Sequence, residues 1–434
     1  MDKMADVLGR AGAWCGQNKY LSAIKNAFQN FMPLTIAGAI GVLWCNVLVN
    51  DQTGLGLFFK PIMALDFLNP AFQAVNFCTI SCITVGITLG IAQEIGVWNM
   101  GAERAGYIPG LVGLAAWLSV TNTSHMVDGA KEAFTGIAGN ELGATGLFTG
   151  MIIGVLSVEL FCFFEKQDAL KIKMPEQVPP GVARAFEVLV PATITLIITA
   201  CIGSACYNLT GLYLNDVIKN GIQGPLGAVG ATIPGVMIIY LVIMLFWLVG
   251  IHGNNMLSAV KEALFTPLAL ENVEAFNKGE TPKNIINMYF LQMTGEFGGS
   301  GVTIGLVIAI MIFGKREDNK AIATLSLVPG LFNINETVTF GIPMVLNPIL
   351  GIPFVVAPLI TIIIGYVLTV IGFCPVACLT VPWTTPPIVF GFLACGANVM
   401  GAVTQAILIV VSTVIYVPFL ISYEKYQNKQ AAEA

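Results

Sequence analysis

The chain has 434 residues, 56% of them hydrophobic and only 10% charged, with a formal net charge of −5. Soluble globular proteins carry about 25% charged residues, so this composition cannot coat a water-soluble globule, and the outer surface must face lipid. A soluble enzyme is excluded; the net charge, spread over short loops, adds little, and no nucleic-acid partner is expected.

No Asp, Glu, Lys or Arg occurs between Lys25 and Asp51, between Glu296 and Lys315, or between Glu336 and Glu424. A helical span takes roughly 20 mostly apolar residues. Backbone groups in lipid must be paired within the segment, so these stretches predict helices. The alternating segments of a β-barrel are not seen. In chain order, residues 1–26, with Lys3, Arg10, Lys19 and Lys25, read as an amphipathic helix on the inner membrane surface, without a cleavable signal pattern. Residues 27–207 read as a scaffold half of five spans, near 28–49, 71–93, 105–120, 147–164 and 188–207. A polar turn at 51–66, a short connection at 94–104, a polar loop to Gly143 and a charged linker from Glu165 to Arg184 separate them.

Residues 208–225 resemble an amphipathic connector, and 226–423 form a second, interrupted half. It opens with a span at 228–251, after which 252–300 mixes apolar runs with His252, Lys261, Glu262, Glu271 and Glu296. Short apolar pieces there suit a re-entrant hairpin, tolerated only where protein or water surrounds it. A span follows at 301–313, ending at Lys315 and Arg316. Residues 325–348, with Pro329, Gly330, Asn333, Asn335, Glu336, Gly341, Pro343 and Pro348, predict a second broken segment. Spans near 354–373 and 402–421 precede a tail at 424–434. The expected fold is all-α and integral to the membrane, with about ten spans of roughly 20 residues and two re-entrant hairpins. With both termini cytoplasmic, inner loops gather Lys166, Lys171, Lys173, Arg184, Lys315, Arg316, Lys320, Lys425 and Lys429, against Lys60, Lys131 and Lys219 outside. That asymmetry follows the positive-inside rule.

The ten cysteines are scattered. Cys78 with Cys82 and Cys374 with Cys378 have helix-face spacing, but no His or carboxylate lies beside them, so they read as buried apolar thiols. No metal site, cofactor or nucleotide-binding glycine loop is expected.

Glu336 begins the longest uncharged stretch, beside Asn333 and Asn335. A carboxylate at membrane depth costs several kcal/mol unless paired or hydrated, so it marks a pathway or site; a structural helix cap is the competing reading. His252 follows an apolar run and is flanked by Gly250, Gly253, Asn254 and Asn255, where glycine lets backbone approach a ligand or turn sharply. The other histidine, His125, falls in a polar outer loop and carries no expected role. Trp383, between Pro382 and Pro386, offers a rigid face for a sugar ring or an anchor at the membrane interface. Glu296 beside Gly298–Gly301 reads as a polar hinge, with a loop permitting close helix packing as the competing reading.

The segments Ser22–Asn26, Phe31–Gly38, Pro175–Phe186, Gly250–Gly253, Gly298–Gly301, Phe332–Glu336, Phe340–Pro348 and Pro382–Thr384 occur in order. Together they resemble the membrane subunit (enzyme IIC) of bacterial phosphotransferase-system sugar permeases of the lactose, cellobiose and diacetylchitobiose type. The family usually has Pro directly after the glutamate, where this chain has Thr337. The resemblance implies the enzyme IIC fold, a homodimer in the bacterial inner membrane, and a disaccharide substrate, with diacetylchitobiose or cellobiose favoured. It implies a transport subunit that is not catalytic alone, the phosphoryl group coming from a cysteine of a separate enzyme IIB. By matching position, Glu336 and His252 would lie near the sugar's 6-hydroxyl as the reacting-centre pair, with Asn255, Asn333, Asn335 and Trp383 completing the sugar contacts. A proton-coupled symporter using Glu336 as proton carrier is the alternative that physics alone leaves open.

Overall fold

Long apolar runs satisfy their backbone groups internally as helices. The computed structural model describes residues 10, 14, 17–51, 55–125, 134–175, 177–342 and 344–433, so most of the expected N-terminal amphipathic helix, Lys131 and Pro343 lie outside the described residues. The helices are α1 (Lys19–Leu43), α2 (Asn69–Asn76), α3 (Ile83–Met100), α4 (Ala102–Ala105), α5 (Ile108–Val120), α6 (Gly139–Leu142), α7 (Ala144–Glu165) and α8 (Pro180–Thr210). Then come α9 (Leu214–Ile218), α10 (Gly224–Gly230), α11 (Ile233–Leu248), α12 (Gly253–Met256), α13 (Ser258–Asn277) and α14 (Met288–Gly295). The last are α15 (Ile304–Phe313), α16 (Glu317–Leu331), α17 (Glu336–Gly341), α18 (Gly351–Val370), α19 (Val389–Ala394) and α20 (Val399–Glu433). Among the described residues, a two-residue antiparallel pair, Ser124–His125 with Phe134–Thr135, interrupts the helical pattern.

Among the described residues, five helical stretches are long and apolar enough to cross a membrane: Lys19–Leu48, Ala144–Glu165, Pro180–Thr210, Gly351–Val370 and Val399–Glu433. Lys60–Ser81 with Ile83–Met100, bent by 42°, makes a sixth. The expected spans at 105–120, 228–251 and 301–313 are shorter helices, so length alone supports fewer spans than expected. Each is cut short by local chemistry. Helix α5 begins beside Pro109 and α11 beside Pro234, with Thr232 accepting from the Gly235 N–H. Helix α15 follows a run of glycines at positive φ. The expected connector at 208–225 is not one surface helix. Helix α8 runs on to Thr210, ends at left-handed Gly211, and is followed by α9, a π-helical turn and α10.

The chain divides into two compact units, one of residues 17–38 and 74–227 and one containing 39–73 and 228–434. Residues 39–73, assigned by sequence to the first half, pack with the second, where the Asn46 amide donates to Asn277 at 3.1 Å. In the first unit α3, α5 and α7 pack against one another through small residues. A Cβ on Gly113 would lie 2.3 Å from that of Ala92, and one on Gly150 2.2 Å from the Thr88 hydroxyl. At one end of this unit Glu165, 3% exposed, takes both Arg104 and Arg184, which also reach Glu187. The short connection ending at Arg104 and the charged linker 165–184 therefore share an end of this unit. The second unit has its own core around Trp247, Phe297, Phe354, Leu408 and Tyr416.

The thiols divide. Cys162, Cys374, Cys378 and Cys395 are buried, but Cys78 and Cys201 are exposed, as a lipid-facing helix surface allows. Cys374 and Cys378 sit in irregular chain rather than on a helix face.

Candidate functional site

In the second unit, four chain segments converge. Helix α11 ends at Leu248, and the next turn carries His252, whose Nδ1 accepts the Asn255 backbone N–H at 3.3 Å. An imidazole that accepts at Nδ1 carries its proton on Nε2 when neutral. The ring also leans on buried Trp247, centroids 4.4 Å apart. His252 Nε2 thereby faces Glu336, 3.8 Å from Oε1, with side chains 36% and 48% exposed. Gly253 serves the sharp turn rather than ligand approach: it lets the turn press on α11, since a Cβ there would meet the Ile243 carbonyl at 2.0 Å.

The second segment is the loop Gly298–Gly301, with φ of +70°, +90° and +80° at its three glycines. Cβ atoms on Gly299 and Gly301 would collide with Asn335 and Phe354 at 2.6 and 2.3 Å. Of the two readings of this loop, close packing is the one these contacts favour, since it is locked between near neighbours. Thr303 closes it by donating to the Gly298 carbonyl at 2.6 Å, and Tyr416 donates to Gly301 at 2.7 Å.

The third segment, Asn333–Glu336, opens α17. Asn333 has φ +62°, which asparagine tolerates. Its Oδ1 accepts from Gly298 N at 2.6 Å, while Nδ2 donates to the carbonyls of Trp383 and Thr385. Asn335 is 3% exposed, and its amide donates to the Ser300 carbonyl at 2.8 Å and to Thr339. Both amides expected to meet sugar are engaged by protein, because three loops from distant parts of the chain need polar links where they meet.

The fourth segment is the loop bearing Trp383, whose side chain remains 43% exposed. Beyond it Ile388 is held at φ +76°, unusual for a β-branched residue. Buried Gln405 stabilises that kink, accepting from Ile388 N and Gly391 N at 2.7 Å each and donating to Met293 O at 3.1 Å. No local pattern signals this role for Gln405, a lone amide in an apolar stretch of helix. Asn255 is exposed beside His252, whereas His125 lies in the other unit. Among the described residues, no cluster of His, Cys, Asp or Glu can hold a metal ion.

The arrangement offers a half-exposed acid and imidazole, an aromatic face and an exposed amide on rigidly laced loops. It suits a polyhydroxylated guest. The family described as Phosphotransferase system, EIIC matches residues 25–358. The chain is 33% identical to the oligo-beta-mannoside-specific EIIC component of Bacillus subtilis (strain 168), over 98% of this chain and 94% of that one. It is 30% identical to the cellobiose-specific EIIC component of Lactococcus lactis subsp. lactis (strain IL1403), over 98% of both. The lactose-specific EIICB component of Streptococcus mutans serotype c (strain ATCC 700610 / UA159) is 31% identical over 96% of this chain and 71% of its own length. The crystal structure of the transporter ChbC, the IIC component from the N,N'-diacetylchitobiose-specific phosphotransferase system, superposes with a TM-score of 0.88 over 97% of each chain, at 29% identity. A match over most of the length, an all-helical membrane architecture and the loops that meet around His252 and Glu336 agree: this chain belongs to the EIIC family of phosphotransferase-system sugar permeases.

Proposed function

We propose that this permease binds a β-linked disaccharide, diacetylchitobiose or cellobiose, between His252, Asn255, Glu336 and Trp383, and presents its 6-hydroxyl to the phosphocysteine of a separate enzyme IIB. The observation that carries this reading is the His252–Glu336 pair, half-exposed and 3.8 Å apart. A hydroxyl oxygen about 2.8 Å from each atom fits that gap with normal hydrogen bonds. His252 Nε2–H donates to the oxygen, and Glu336 accepts the hydroxyl proton. As the oxygen attacks in line, the O–P bond forms, the S–P bond of the partner breaks, and the proton passes to Glu336. Trp383 packs its face against a sugar ring. Asn333 and Asn335 belong to the positioning of these loops, since their amides already have partners. Relatives specific for cellobiose and oligo-beta-mannosides, and a structural neighbour specific for diacetylchitobiose, support the sugar class. The EIICB relative, longer than this chain, supports an enzyme IIB partner. We assign the protein to the bacterial inner membrane with both termini cytoplasmic, as a homodimer.

The test is phosphorylation-coupled uptake of labelled disaccharide into cells carrying Glu336→Gln or His252→Ala. Uptake is expected to be lost in both while membrane insertion is normal. Full uptake in both variants, or accumulation that follows a pH gradient in vesicles lacking phosphotransferase proteins, overturns the reading.

A further inference from the structure

Behind the His252 turn lies an ion pair that the sugar site does not use. Lys261 on α13 pairs with Glu296 at the end of α14, with side chains only 8% and 18% exposed. The other ion pairs of this unit among the described residues have at least one side chain more than a third exposed. Glu296 Oε1 also accepts from Tyr240 on α11 at 2.7 Å. Lys261 Nζ donates in addition to Asn254 Oδ1 at 3.1 Å, and Asn254 Nδ2 donates to Ser300 Oγ at 2.8 Å. The Ser300 carbonyl accepts from Asn335, the residue before Glu336. Hydrogen bonds joined by short stretches of backbone therefore link the ion pair to the His252 turn, through Asn254, and to the segment before Glu336, through Ser300 and Asn335.

We propose that the Lys261–Glu296 pair, acting through Asn254, is a positioning device that sets the spacing of His252 and Glu336. This rests on the reading of those two residues as the site that orients the sugar hydroxyl. Well-packed apolar residues commonly replace a buried ion pair with little loss of stability, so stability alone is a weak reason for its presence. The pair supplies direction. An ammonium only donates, so the Asn254 oxygen must face Lys261 and its NH2 must face Ser300. That fixes the amide's orientation and ties the turn 252–255 to the loop 298–301. Asn254, with both ends of its side chain occupied, has a linking part rather than a sugar contact.

The test uses the full chain in membrane vesicles supplied with the soluble phosphotransferase proteins, with diacetylchitobiose and cellobiose as substrates. A displacement near 1 Å at a reacting centre costs on the order of a hundredfold in rate. Asn254→Ala, Asn254→Asp and the double variant Lys261→Met/Glu296→Met are expected to lower kcat at least about tenfold, with KM within about threefold of the parent. Melting of the solubilised double variant is expected at or above the parent value, and Lys261→Arg keeps both kinetic constants within about threefold. Should the double variant not fold, the Asn254 variants decide, since they leave the ion pair in place. A folded Asn254→Ala protein with parental kcat, or losses that follow melting temperature across the set, overturns the proposal. A parent that phosphorylates neither sugar sinks the functional reading and this inference together. An active parent beside a fully active Asn254→Ala sinks this inference alone.

Discussion

The backbone N–H of Asn255 decides which nitrogen of His252 faces Glu336, a one-bond choice that sets the direction of hydrogen bonding at the site. Thr337 is a second choice of that size. It is the second residue of α17 and is exposed. The chain already places Pro109 and Pro234 at the second positions of α5 and α11. A helix's first turn needs no N–H there. Thr337→Pro is therefore expected to fold and to stabilise by about 0.4–1 kcal/mol through a stiffer unfolded chain. Thermal melting in detergent checks this, and a fall in melting temperature would show that the Thr337 hydroxyl or N–H is engaged. At this scale the sequence singled out His252 and Glu336 separately, and the fold brings their side chains to 3.8 Å. The sequence did not show that the amides of Asn333 and Asn335 bond to protein, because an amide reads the same whether it faces a ligand or a carbonyl.

Among the elements, the Gly298–Gly301 loop shows how packing and backbone conformation combine. Gly301 has φ +80° and Phe354 where a side chain would begin, 2.3 Å from the site of a Cβ. Gly211 has φ +72°, ends α8, and has open space around it. An alanine at either position meets left-handed strain of about 1–2 kcal/mol. Only at Gly301 does overpacking add to it, typically by about 1–3 kcal/mol. Gly301→Ala is therefore expected to melt clearly below Gly211→Ala, and equal melting temperatures would mean that Phe354 yields freely. The flanking helices follow the same logic of local punctuation. Asn287 starts α14 by accepting from Tyr289 N and Phe290 N, and its own amide donates to the Ala377 carbonyl.

At the scale of the whole molecule, the proposed homodimer makes a direct prediction. Mild-detergent extracts are expected to give a protein mass of twice 46.1 kDa by light scattering, with the detergent contribution subtracted. A monomeric mass that stays active in phosphorylation would remove the dimer from the mechanism. By itself the sequence determined that the chain is helical and membrane-embedded, because 56% hydrophobic and 10% charged residues leave no other solvent for its surface. It also determined that the second half is interrupted, since glycines, prolines and lone charges within apolar runs forbid uniform spans. Only the tertiary structure decided that residues 39–73 pack with that second unit. Only it brought Lys261, Asn254 and Gln405 to the site's supporting shell and turned Asn333 inward. The physical reason is one of range. Hydrophobic pattern and backbone pairing act locally along the chain, whereas a buried polar group takes whichever partner the folded backbone brings within about 3 Å.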